Sequence, residues 1–250
     1  MEGWVAEVFS GIQGEGPWVG CRHLFVRLYG CNLCCDYCDT PAARQRRKMG
    51  RIEEDAGGRN FVPLENPISA SCLFEKLERM RLERHQAVSI TGGEPLTQAD
   101  FLKELLLLLR KAGAAVYLET NGTLPAAYEG VMGLVDITAM DFKLASATGK
   151  PAPWREHERF LRLARESSDV FVKVVVSAET TPEELGKVSS LVAEVDPGIT
   201  VVLQPLTPVG DAPHLKAPEP EQLLVMQELV SERVKDVRVI PQVHKLIGQI

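Results

Sequence analysis

A chain of 250 residues, 45% of them apolar, can bury a sizeable core, and the length suits one α/β domain. A formal net charge of -6 argues against a polyanion as the main partner, because nucleic-acid binders usually carry a basic face. The start, Met1-Glu2-Gly3-Trp4, lacks a basic segment followed by an apolar one, and the leucine run at 105–109 is too short to span a membrane. The six cysteines are therefore expected to be reduced thiols of a cytoplasmic protein, where clustered Cys more often mean metal than disulfide.

In chain order, short β-branched runs alternate with helical patterns, which predicts parallel βα units. Strands are expected over residues 24–29, 88–91, 115–119, 135–139, 170–177 and 199–204. Helices are expected between them at 71–84, 99–111, 156–166 and 182–195. In the second helix Phe101, Leu102, Leu105, Leu106 and Leu109 recur at helical spacing, a core-facing stripe. Two regions break the pattern. Residues 44–67 are rich in charge and Gly, with Arg46-Arg47-Lys48 and Gly57-Gly58, and read as a surface insertion free to move. Pro205-Leu206-Thr207-Pro208 reads as a loop, followed by a helix near 219–230, a short strand at 237–240 and a tail.

Four cysteines fall within Cys31-Asn32-Leu33-Cys34-Cys35-Asp36-Tyr37-Cys38. Two metal readings compete. Cys31 with Cys34, and Cys35 with Cys38, form two C-x2-C knuckles for zinc, although structural zinc usually takes its second pair from a separate segment. Alternatively Cys31-x3-Cys35-x2-Cys38 supplies three thiolates to an iron–sulfur cube and leaves one iron open for chemistry. Register from Cys34 fails, because a third Cys would be needed where Pro41 stands. Cys21, Cys34 and Cys72 are left as ordinary thiols.

The C-x3-C-x2-C spacing, with Tyr37 before the last Cys, resembles the radical S-adenosylmethionine (SAM) superfamily. Further features follow strand ends in order: Gly92-Gly93-Glu94-Pro95, Glu119-Thr120-Asn121-Gly122, Asp141-Phe142-Lys143, Ser177 and Gln204-Pro205. Polar groups at the C-terminal ends of successive strands are the pattern of a barrel active site. The resemblance implies an incomplete, six-stranded parallel β/α barrel of the radical SAM type. It also implies that the Gly-Gly-Glu-Pro segment meets the SAM amino group through backbone and carboxylate acceptors.

Before the cysteines, Phe9-Ser10-Gly11-Ile12-Gln13-Gly14-Glu15-Gly16 lacks the Gly-Lys-Ser/Thr ending of a phosphate loop. Together with Tyr37-Cys38-Asp39-Thr40 and the closing Gln242-Val243-His244-Lys245, it resembles the 7-carboxy-7-deazaguanine synthase family over nearly the whole chain. The 44–67 insertion is the clearest departure. The family resemblance implies a single domain whose C-terminal tail completes the substrate site. It implies a carbon–nitrogen lyase of queuosine-type deazapurine biosynthesis. The substrate would be 6-carboxy-5,6,7,8-tetrahydropterin and the product 7-carboxy-7-deazaguanine, with loss of ammonia. It further implies a 4Fe-4S cluster, SAM, Mg2+, a low-potential electron donor such as flavodoxin, and a homodimer.

By the same resemblance Cys31, Cys35 and Cys38 hold the cluster and Thr40 the Mg2+. Tyr37, Cys38, Asp39, Gly93, Asp141, Phe142, Lys143, Gln204, Pro205, Leu206 and Thr207 meet SAM. Ile12, Gln13, Gly14, Glu15, Arg27, Thr91, Glu119, His244 and the carboxylate of Ile250 meet the pterin. Plainer readings exist: a surface salt bridge for Arg27, tail packing for His244, an exposed strand end for Glu119, and a helix N-cap for Thr40 before Pro41. A glycyl-radical-enzyme activase would share the cysteine spacing and Gly-Gly-Glu-Pro, but would need neither the Gln-Gly-Glu-Gly start nor the Gln-x-His-Lys end. A zinc-binding regulatory module is the non-enzymatic rival.

Overall fold

A computed structural model describes residues 1–208 and 215–249 of the chain. The first strands are β1 (Glu2–Gly3), β2 (Val5–Ile12), β3 (Arg22–Leu28), β4 (Met49–Glu53), β5 (Phe61–Glu65) and β6 (Ile68–Ser69). Alternation follows: α1 (Ala70–Arg79), β7 (Ala87–Gly92), α2 (Ala99–Lys111), β8 (Val116–Thr120), α3 (Pro125–Glu129) and β9 (Ile137–Phe142). Then come α4 (Ala145–Thr148), α5 (Trp154–Ser167), β10 (Asp169–Val176), α6 (Pro182–Val195), β11 (Val201–Pro205), α7 (Pro220–Ser231), β12 (Val237–Val239) and α8 (Val243–Leu246).

Among the described residues the main sheet has ten strands, in the order β12-β11-β10-β9-β8-β7-β3-β2-β4-β5. From β3 to β12 all neighbours are parallel. Parallel strands need crossover connections, and the intervening helices supply them. Those helices cover the outer face with the main core, in which the α2 stripe of Phe101, Leu102, Leu105, Leu106 and Leu109 is fully or almost fully buried. The architecture is the expected incomplete parallel β/α barrel of the radical SAM type, but among the described residues its parallel run has seven strands, β3 and β7 to β12, where six were expected. α6 starts on a capping box, Thr181 with Glu184, which fixes its first turn. α1 stops five residues earlier than its apolar pattern suggests, because Arg81 enters the left-handed region at φ 61 and a short 3-10 turn follows.

Residues 44–67 correct an expectation. They form a hairpin, β4–β5, that joins the sheet edge through β4 and β2, which run parallel. Ile52 and Leu64 point into the main core. Glu53 is buried, and its carboxylate accepts backbone N–H groups from Ser10 at 2.9 Å, Gly57 at 2.8 Å and Arg59 at 3.0 Å. Charged residues occupy the alternate positions, so the segment reads as surface although half of it is anchored. β2, also unforeseen as a strand, pairs antiparallel with β3 and carries the Gln13–Glu15 turn at its end.

Candidate active site

Period-two alternation sends one row of side chains from each strand into the barrel. Toward the N-terminal ends that row is apolar: Ala87, Tyr117, Ile137, Ala139, Phe171 and Val202, with Trp18 packed against them. His23 lies in this floor, its Nδ1 2.7 Å from Ser89 Oγ. Burial, with help from nearby His85, pushes its pKa down to about 4, so the floor is uncharged at neutral pH. Toward the C-terminal ends the row turns polar: Arg27, Thr91, Glu119, Asp141, Lys173 and Gln204. These line a cavity of 780 Å³ with the Gln13–Glu15 turn, the cysteine loop and the tail.

The polar layer is paired. Glu119 accepts from Gln13 Nε2 at 2.9 Å and from Thr91 Oγ1 at 2.7 Å. Glu15 faces Lys173, and Gln242 Nε2 donates to it at 2.7 Å. Strand register sets Lys173 beside Asp141, with the ion pair at 3.2 Å. Lys143 pairs with Asp141 at 2.9 Å and donates to the Tyr37 hydroxyl at 2.8 Å. Burial alone would raise the Glu15 and Asp141 carboxyl pKa values, but the lysines outweigh it and hold both below the ordinary carboxylate range. The same pairs override the burial that would lower Lys143 and Lys173, which stay firmly cationic. The Tyr37 hydroxyl is pushed up by burial and remains neutral.

Cys31, Cys35 and Cys38 line the cavity. Cys34 is exposed and sits 3.1 Å from Arg44 Nη1 instead. Burial raises the Cys31 and Cys35 thiols, Cys35 to about 11, so a metal must displace their protons. Among the described residues no three His, Cys, Asp or Glu side chains gather around a point that one ion would occupy. A four-thiolate zinc site needs such a point, whereas a cube takes each thiolate on a separate iron. Three thiols at C-x3-C-x2-C spacing that line one cavity are the donor set that a cube takes.

The SAM-side residues also fit a ligand. Gly93 packs so closely on the loop that an added Cβ would lie 2.2 Å from the Gly30 carbonyl. Asp141 Oδ1 and Gln204 Oε1 are buried without a hydrogen-bond partner, acceptors left for a bound group. Glu94 departs from expectation. Its carboxylate is fully buried behind the cavity and accepts from Asn121 N at 2.7 Å, Thr120 Oγ1 at 2.9 Å and Leu96 N at 3.1 Å. It ties the loop after β7 to the end of β8, and burial raises its pKa to about 7. Only the backbone of this segment faces the cavity.

Most expected site residues meet here: Ile12, Gln13, Gly14, Glu15, Arg27, Tyr37, Asp39, Thr40, Thr91, Gly93, Glu119, Asp141, Lys143, Gln204, Leu206, Thr207 and His244 all line the cavity. Phe142 and Pro205 do not. Phe142 is buried on the outer side, stacked on His157 at 4.6 Å. Ile250 lies outside the described residues. Thr40 takes the N-cap position of a 3-10 turn, but its side chain makes no cap hydrogen bond, so the hydroxyl is left to the cavity. His244 packs on Gly14, where a Cβ would fall 2.3 Å from its Nδ1, and Val243 N–H donates to the Gly14 carbonyl at 2.9 Å. Lys245 Nζ lies 3.3 Å from Asp39, so the tail is bound to both the Gln13–Glu15 turn and the cysteine loop.

Sequence reasoning missed Lys173 and gave Gln242 no role of its own. A lone Lys in the run Val170-Phe171-Val172-Lys173-Val174-Val175-Val176 is the signal that could have found the first. Its neighbours Phe171 and Val175, two residues either way, share its inward row.

The Radical SAM superfamily model matches residues 25–192. A 7-carboxy-7-deazaguanine synthase from Geobacter sulfurreducens is 43% identical over 247 residues, covering 98% of this chain and 96% of that protein. The chain belongs to the 7-carboxy-7-deazaguanine synthase family of radical SAM proteins. A family member from Methanopyrus kandleri is 38% identical over 261 residues, covering 98% of this chain and 94% of that protein. The crystal structure of QueE from Escherichia coli shares the fold, with a TM-score of 0.59 at 20% identity over 97% of this chain and 94% of that one. The superfamily match holds the cysteines but stops short of Gln13, Glu15 and the tail. No helix among the described residues is long and apolar enough to cross a membrane.

Proposed function

We propose that this chain converts 6-carboxy-5,6,7,8-tetrahydropterin to 7-carboxy-7-deazaguanine with release of ammonia, as a carbon–nitrogen lyase of queuosine-type deazapurine biosynthesis. The polarity of the cavity carries this reading. Glu119 presents a carboxylate fixed by Gln13 and Thr91. Arg27 presents a guanidinium two strands away, across β7. Two strand spacings are about 10 Å, comparable to a bicyclic ring with a carboxylate at one end and an amino-pyrimidine edge at the other. The N–H donors of that edge suit Glu119, and the carboxylate suits the planar fork of Arg27.

Cys31, Cys35 and Cys38 would hold the 4Fe-4S cluster, and Gly93, Asp141 and Gln204 would receive SAM. When bound and reduced, the cluster and SAM would supply the radical chemistry needed to remove hydrogen from substrate C6. The chain's own work is placement. Lys143 orients the Tyr37 hydroxyl beside the cysteine loop, and Asp141 is held ionised between two lysines. Glu15, ionised against Lys173, offers a second fixed acceptor to the pterin. Gln242 and Lys245 bring the tail over this layer and keep water from it.

Thr40, with its hydroxyl free, supports a Mg2+ site beside the substrate carboxylate, since Mg2+ commonly takes few protein oxygens plus ligand oxygens. A low-potential donor of the flavodoxin kind would supply the electron, and the working unit would be a cytosolic homodimer. The test is anaerobic turnover of the reconstituted protein with SAM, reductant and the carboxy-tetrahydropterin. The expected result is 7-carboxy-7-deazaguanine with one ammonium per product. Cleavage of SAM that ignores the pterin would contradict the reading.

A further inference from the structure

The hairpin insertion does more than extend the sheet. Register aligns three residues in one row across β3, β2 and β4: Glu7 is the Cα partner of Arg27 on one side and of Arg51 on the other. All three side chains line the cavity. Arg27 Nε lies 3.4 Å from one Glu7 oxygen, while Arg51 binds the other through Nε at 2.6 Å and through Nη2. The Arg51 guanidinium also lies over the Phe61 ring, 4.3 Å from its centroid, so β5 braces it from behind. Arg27 lies over Phe9 at 6.0 Å.

Two guanidiniums thus share one carboxylate. One positive charge is left over, and it faces the cavity. Among the described residues the rest of the polar layer does not neutralise it: Lys143 and Lys173 are matched by Asp141 and Glu15, and Lys245 by Asp39. Of the remaining charged cavity residues, Arg44 is engaged with the Cys35 carbonyl and Cys34 and Glu119 with Gln13 and Thr91, and their opposite charges cancel in the balance. Glu7 occupies only part of the forks of Arg27 and Arg51. The open N–H groups of the two point to a planar anion. Arg51 is half exposed before a ligand arrives, which leaves it accessible from the cavity.

We infer that Arg51 is a second guanidinium for the substrate carboxylate and a determinant of specificity, with Glu7 as the positioning residue that sets both forks. The inference rests on the proposed pterin substrate and assigns the hairpin a role in choosing carboxylated pterins over those without the carboxylate. No covalent step is involved.

The experiment compares wild type, Arg51→Ala and Arg51→Lys as reconstituted holoenzymes. Calorimetry gives Kd for the 6-carboxy-tetrahydropterin, for tetrahydropterin lacking the carboxylate, and for SAM. Arg51→Ala should weaken the carboxylated pterin by about tenfold or more, as expected for one lost hydrogen bond to a charged group. The uncarboxylated pterin should change by less than about twofold, and SAM should not change. Lys keeps the charge and loses the fork, so Arg51→Lys should fall between. In turnover the loss should appear in KM more than in kcat. If Arg51→Ala loosens the hairpin, seen as a drop in Tm, Arg51→Lys carries the comparison. Equal weakening of both pterins, or of neither, overturns the role of Arg51. Failure of wild type to bind the carboxylated pterin overturns the substrate reading instead.

Discussion

The two walls of the cavity are built in opposite ways. The cysteine wall is local: Cys31, Cys35, Cys38 and Thr40 come from one loop after β3. The facing wall is assembled from distant segments, with Glu15 and Lys173 lying 158 residues apart and Glu15 and Gln242 lying 227 apart. The first wall lies within the superfamily match, and the second mixes strands inside that match with a turn and a tail outside it. Chemistry that needs only spacing can reside in a loop. A fixed pattern of charge around a particular substrate needs strand register, and therefore the whole barrel.

The comparison is tested most severely at the cysteines. Alanine at Cys31, Cys35 or Cys38 should abolish the visible absorbance of the reconstituted cluster and all turnover, while Cys34→Ala should keep both. Loss of the cluster in Cys34→Ala with retention in Cys35→Ala would mean that the local wall uses another register.

The assembled wall should respond in stability. Lys173→Met removes the cation between Glu15 and Asp141 and leaves Glu15 without its ion partner. Breaking a buried pair costs about 3–5 kcal/mol, and the partial access at this site lowers the expected loss to about 2–3 kcal/mol. Urea denaturation of the metal-free chain measures it. A change below about 1 kcal/mol would show that water already screens the pair.

A smaller effect should follow pH. Glu15 and Asp141 are held below their ordinary values of 4.5 and 3.8. Between those values and the lower folded ones, the unfolded chain binds more protons than the folded chain. The pairs therefore stabilise fully above this window and lose their contribution as pH falls through it. Wild type should lose stability on acidification in that range, and Lys173→Met should lose less, because Glu15 lacks the cation that depressed it while Asp141 keeps Lys143. Parallel acid limbs in the two proteins would contradict the pairing.

How much could be read from the sequence follows the same division. The cysteine loop, the strands from β7 to β11 and the helices between them were legible, because each rests on short-range spacing. The β4–β5 hairpin was not: Ile52 stands alone between Arg51 and Glu53, the short run around Leu64 is broken by Pro63, and only the pairing of β4 with β2 and of β5 with β4 makes Ile52 and Leu64 core. Lys173 was hidden for a related reason. Its meaning comes from Asp141 across a strand pair and from Glu15 across the barrel. Glu94 misled in the other direction. A carboxylate in a glycine turn looked like a ligand for SAM, yet its acceptors are consumed by Thr120, Asn121 and Leu96. Phe142 likewise sits in a motif whose neighbours face the cavity while strand alternation turns it to the outer core.

On the proposed function, the two walls would hold a carboxy-tetrahydropterin with its C6 toward the cysteine loop. Anaerobic turnover with substrate deuterated at C6, followed by mass spectrometry of the recovered SAM, tests it most directly. Because the family resemblance implies that SAM is regenerated at each turnover, the expected result is deuterium at the 5′ carbon of SAM together with 7-carboxy-7-deazaguanine. Product formation with unlabelled SAM, or SAM cleavage without product, would contradict it.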